Sequence, residues 1–172
     1  HQKFQDRPIQ TNYRKDIEMK DEIILEHLRN KYPGENRAKF NFLDFIHAAG
    51  SPSDALLYAR LFSPQFIEID EMIFLKDVIE DEADIQRVRN AIEKYAGDKK
   101  IVEHSFNFVE IPSLFGGNSG DTSDEEDYWL ATQLAEMWAL KLKILYPEKT
   151  FEVNILSPTE TGNELGIEFF QK

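Results

Sequence analysis

The chain contains no cysteine, so disulfides, thiolate metal sites and thiol nucleophiles are excluded from the start. Long apolar runs are missing too. The best of them, IIL at 23–25 and MIFL at 72–75, fall far short of the roughly 20 residues that a membrane-spanning helix needs. The opening residues, HQKFQDRPIQTNYRK, carry no apolar stretch of the signal-peptide kind. Absence of cysteine suits a reducing compartment, and the expected location is the cytoplasm. The chain starts at His1 rather than Met, which leaves a removed upstream segment open.

Basic residues are scarce in the larger part of the chain. Residues 51–172 carry 11 Lys/Arg against 24 Asp/Glu, a net of −13, whereas residues 1–50 carry nine against eight, a net of +1. A surface of that sign repels nucleic-acid phosphates and anionic membranes, whose recognition needs cationic neutralisation. It attracts a basic protein and speeds encounter with it.

What is present is ample material for a core. Hydrophobic residues make up 41% of the chain and phenylalanine occurs 13 times, too apolar a mixture for a disordered protein. Residues 1–15 are polar and without period, and are expected to form a disordered arm; 16–172 is expected to be a single domain.

Ile17, Ile24, Leu25, Leu28 and Tyr32 share one face of a helix that Pro33-Gly34 stops. A second helix from about Arg37 groups Phe42, Phe45, Ile46 and Ala49. A third opens with Ser51 as N-cap and Pro52 at its first position, and closes before Ser63-Pro64. The period then changes to alternation in QFIEIDEMIFLKDV, read as one long strand or two joined near Asp70-Glu71. Ile85, Val88, Ile92 and Tyr95 predict a fourth helix from near Asp81 to Gly97. IVEHSFNFVEI at 101–111 alternates again and reads as a strand, with His104, Phe106 and Phe108 on one face. A long helix follows on Leu134, Trp138, Leu142 and Leu145, expected to be central because so much of its circumference is apolar. FEVNIL at 151–156 and ELGIEFFQ at 164–171 close the chain as an antiparallel hairpin across SPTETGN.

The expected architecture is therefore α+β: a mostly antiparallel sheet of four to five strands with helices on it, in the order α-α-α-β(β)-α-β-α-β-β.

The stretch GGNSGDTSDEED at 116–127 resembles a phosphate or nucleophile loop only at first sight. A P-loop requires Gly-Lys followed by Ser or Thr, and here Asp121 follows Gly120. A nucleophile elbow requires a second spacer that GNSG lacks. The carboxylates do not keep the ligand spacing of an EF-hand loop. Helix capping explains the stretch: Ser123 at the N-cap and Glu126 at N3 form a capping box. Asp124, Glu125 and Asp127 complement the positive helix end. No motif asks for a cofactor or a metal.

Two functional readings follow. In the first, the protein is non-enzymatic and binds a basic protein partner in the manner of an inhibitor or immunity protein, through Glu68, Asp70, Glu71, Glu80, Asp81, Glu82 and Asp84. In the second, His104 with Phe106, Phe108, Glu110 and Trp138 lines a small-molecule pocket, with the imidazole as general base. Phe169 and Phe170 are adjacent, so both faces of the last strand need cover, from a helix or from a second subunit of a homodimer.

Overall fold

The computed structural model describes residues 9–118, 120–162 and 164–172. They form seven α-helices and five strands in two compact units that divide between Ala55 and Leu56.

In the first unit, α1 (Ile9–Lys31) begins inside the stretch expected to be a disordered arm, and residues 1–8 lie outside the described residues. Arg29 reaches Glu22 at 2.7 Å and the carbonyl of Phe40 at 3.3 Å. The helix α2 (Phe42–Ala49) carries its own capping box, Asn41 with Asp44. Phe40 meets Phe45 edge-on at 5.3 Å between ring centroids.

The second unit takes in the end of α3 (Pro52–Phe62), which stops before Ser63-Pro64 as its sequence requires. Strands β1 (Phe66–Ile69) and β2 (Met72–Leu75) pair antiparallel across a two-residue turn. Both turn residues, Asp70 and Glu71, have positive φ, at 50° and 69°, which matches the twist of a tight hairpin. Asp81 caps α4 (Glu82–Lys94) by accepting from the N–H groups of Ala83 and Asp84. A Schellman-type bond from Gly97 N–H to the Ile92 carbonyl, 2.8 Å, ends it.

The next element corrects the sequence reading. Residues 101–106, expected as a strand, belong to α5 (Lys99–Phe106), and only Val109–Glu110 form the short strand β3. Asp98 is the reason: its carboxylate accepts from Ile101 N–H at 3.2 Å and nucleates a helical turn. On that helix Val102 and Phe106 are one turn apart and point into the same core. Local alternation loses to the cap and to burial.

Ser123 and Glu126 then form the expected capping box at the start of α6 (Asp124–Leu145). Strands β4 (Phe151–Leu156) and β5 (Gly166–Gln171) pair antiparallel, with the short helix α7 (Pro158–Thr161) between them.

The fold is α+β and its pairings are antiparallel, but the strands divide into two small sheets, β1-β2 and β3-β5-β4. Helices lie on both faces. On one, Ala131, Leu134, Trp138 and Leu142 of α6 pack on Ile73, Leu75, Ile167 and Phe169. On the other, Val88 of α4 and Val102 of α5 pack on Met72 and Phe74. Phe170 finds its cover here: the Lys100 ammonium sits 4.3 Å from its ring centroid and His104 approaches edge-on. A helix of the same chain supplies the cover that argued for a subunit. The helix α6 is less enclosed than its composition suggests, for Leu140 and Ile144 are 57% and 75% exposed. One stripe with spacings of three and four is enough to seat it.

Candidate functional site

The two sheets meet along an unusual polar seam. Glu103 and Asn107, one helical turn apart on α5, are both fully buried. Glu103 accepts from the Ile73 N–H of β2 at 2.7 Å and from the Gln171 N–H of β5, also at 2.7 Å. Asn107 accepts from Leu75 N–H at 3.1 Å and donates to the carbonyls of Ile73 and Phe169 at 2.8 and 3.3 Å. Side chains from a helix thus satisfy backbone groups that a neighbouring strand would otherwise satisfy. Gln171 completes the seam by donating from Nε2 to Glu103 and to the carbonyl of Glu71, the latter at 2.9 Å.

Beside this seam stands His104. Its imidazole is half exposed, and Nδ1 is directed at Oε2 of Glu168, a carboxylate only 3% exposed. The two groups are in close polar contact without a well-directed hydrogen bond, and Oε2 has no hydrogen-bond partner among the described residues. Glu168 Oε1 accepts from Asn154 Nδ2 across the β4–β5 ladder at 3.1 Å. The chain amide–carboxylate–imidazole holds one nitrogen of His104 and leaves the ring reachable from solvent. That is how a general base is oriented in many sites.

The residues expected to accompany His104 do not converge on it. Phe106 packs against Phe74 and beneath Arg87. The Phe108 ring lies over Gly166, so close that a Cβ there would come within 2.2 Å of it. Glu110 accepts from Ser113 at 3.2 Å. Trp138 is in the core, donating Nε1–H to the Leu61 carbonyl at 2.9 Å. It does border a cleft of about 530 Å³, largely apolar, between Tyr58, Leu61, Val109 and Phe115. The Arg60–Asp77 ion pair, 2.9 Å, stands at the same cleft.

The acidic run is gathered around the β1–β2 turn and the start of α4, where bases interleave with it. Asp70 and Glu82 flank Arg89 at 3.7 and 3.6 Å, and Glu68 meets Lys149 at 3.4 Å. Glu71 pairs with Lys99, whose hydrogen bond and charge hold the Glu71 carboxyl below its usual range. Asp84 is lowered as well, first by accepting from the Glu80 N–H and then by Arg87 at 2.6 Å. Asp81 is the N-cap. Exposed pairs of this kind contribute little to stability, because solvent screens them. Glu80 takes part in this network through its backbone N–H, which donates to Asp84 at 3.0 Å.

Sequence reasoning missed Glu103, Asn107, Asn154 and Glu168. The signals were a glutamate inside the apolar GIEFF and the four-residue spacing of Glu103 and Asn107, which only a helical reading of 99–107 would use. No cluster of three or more His, Asp or Glu suited to a metal ion occurs among the described residues, and no described helix is long and apolar enough to cross a membrane. Comparison with protein-family models, with curated proteins and with solved structures yields no match.

Proposed function

We propose that this protein acts by binding a basic protein partner. The supporting observation is a charge excess without internal compensation. Unit 56–172 carries 23 Asp/Glu, the 24 of residues 51–172 less Asp54, against the same 11 Lys/Arg, a net of −12. Arg60, Arg87, Arg89, Lys99, Lys149 and Lys172 are already paired with carboxylates. Apart from the buried Glu103 and Glu168, the surplus therefore faces solvent, where a cationic surface gains both encounter rate and specificity from it. The test is crosslinking at low salt in the native host, followed by identification of what is joined to the protein. A basic partner that high salt releases supports the reading. Recovery of only neutral or acidic proteins, insensitive to salt, overturns it.

A second reading draws on the His104–Glu168–Asn154 chain, which suits a ligand or proton-transfer site on the α5 face of β5. His104→Ala then abolishes binding or turnover of a ligand found by screening, while Lys100→Ala leaves it within about twofold. Equal effects of the two substitutions would remove this reading.

A further inference from the structure

Net charge alone does not locate a docking site, and the acidic run at 68–84 is largely occupied by its own bases. A second acidic feature has no such company. Strand β4 lies at the edge of its sheet, paired with β5 alone. Lys172 N–H bonds the Thr150 carbonyl at 2.9 Å, and bonded pairs alternate along an antiparallel ladder. Glu152, Asn154 and Leu156 therefore turn their backbone groups toward β5, while Phe151, Val153 and Ile155 turn theirs outward. Among the described residues no hydrogen bond reaches these outward groups. Edges of this length are ordinarily blunted by charged side chains, lysine above all, by proline or by a bulge; FEVNIL has neither lysine nor proline, and its single charge, Glu152, pairs with Lys172 at 3.6 Å.

Alongside this edge runs a groove of about 630 Å³ between β4 and α6. Val153, Ile155, Ala135 and Tyr128 give it apolar walls. Glu136 of α6 and Glu160 of α7 are its charged residues, and no lysine or arginine lines it among the described residues.

We infer that the open edge of β4 and this groove accept an extended, lysine- or arginine-bearing segment of a partner protein, which adds to the sheet as a strand. This rests on the reading of the protein as a binder of a basic protein and names its docking site. Backbone bonds to Phe151, Val153 and Ile155 supply affinity that is blind to sequence. Specificity comes from every second side chain of the guest, apolar toward α6, and from cations opposite Glu136 and Glu160. Strand addition needs an unpaired edge and a groove of matching charge, and both are present.

The probes are short N-acetylated peptides that alternate valine or isoleucine with lysine, and the same peptides N-methylated at alternate residues. Residue-resolved amide exchange is expected to slow at Phe151, Val153 and Ile155 on binding, with Glu152, Asn154 and Leu156 little changed. Val153→Pro removes one outward N–H without touching the ladder to β5; with Glu136→Lys as a second variant, each is expected to weaken binding about tenfold. N-methylation is expected to abolish it. If the lysine peptides bind Val153→Pro and parent alike, and N-methylation is tolerated, the docking site is wrong while the basic-partner reading stands. If neither these peptides nor any basic protein binds, both fail. Self-association that protects the same three amides without peptide would overturn the proposal in favour of a second copy of this chain.

Discussion

Glu103 reaches across the interior to the backbone N–H of Ile73, 30 residues away in sequence, at 2.7 Å. With it the two small sheets share one hydrogen-bonded seam, although no backbone bond joins β2 to β5. Removing Glu103 leaves the buried N–H of Ile73 and the half-buried N–H of Gln171 without an acceptor. Each such bond to a carboxyl group contributes about 1.5–3 kcal/mol, so Glu103→Ala is expected to cost at least about 3 kcal/mol. Asn107→Ala, which orphans Leu75 N–H and two carbonyls, is expected to cost about 2 kcal/mol. Urea unfolding measures both. A Glu103→Ala midpoint equal to the parent's would mean that the seam does not hold the sheets together.

The same seam explains what was legible in the sequence and what was not. Caps and turns depend on neighbours in the chain, and these read correctly: Ser123 with Glu126, Asp81 before α4, and the hairpin of β4 and β5; at Asp70-Glu71 the sequence left one strand or two open, and the structure has two. The 101–106 segment failed because alternation over a few residues is compatible with a helix as well as a strand. Its arbiter was Asp98, just outside the alternating window. His104 stood out on one face with Phe106 and Phe108, but its partner Glu168 lies 64 positions further on (168 − 104), on a strand whose register no local pattern reveals. Glu103 likewise answers to Ile73 and Gln171. Long-range polar pairing leaves almost no trace in composition or period. The helix α7 was hidden for a different reason: at four residues, Pro158–Thr161 cannot be told from a turn.

Gly166 occupies a place where no side chain fits. A Cβ there would approach Cε2 of Phe108 to 2.2 Å and Cζ to 2.7 Å, and Phe108 is held where β3 joins β5. Overpacking of this kind ordinarily costs about 1–3 kcal/mol, which is the loss expected for Gly166→Ala by thermal or urea unfolding. Phe108→Leu in the same chain removes the clashing ring edge, so the double variant is expected to recover part of the loss. Additive losses would show that Phe108 is not the obstacle.

Glu160 provides a pH handle on the end of the proposed groove. Its carboxyl is held below the usual 4.5, first by the Ser157 hydroxyl and then by the Ser157 backbone N–H, at 2.7 and 2.8 Å. A depressed folded-state value means that the interaction is fully present above about 4.5, the unfolded value, and is lost as pH falls through the lower folded one. Titration followed by NMR at the Glu160 carboxyl is expected to give a midpoint under 4.5 in the parent. Ser157→Ala removes the larger cause and keeps the N–H, so its midpoint should rise toward 4.5 without reaching it. At neutral pH the ionised Glu160 remains available to a cationic guest. Between the two midpoints, Ser157→Ala is therefore expected to lose lysine-peptide affinity at a higher pH than the parent does. If the two proteins lose it together, Glu160 does not contact the peptide.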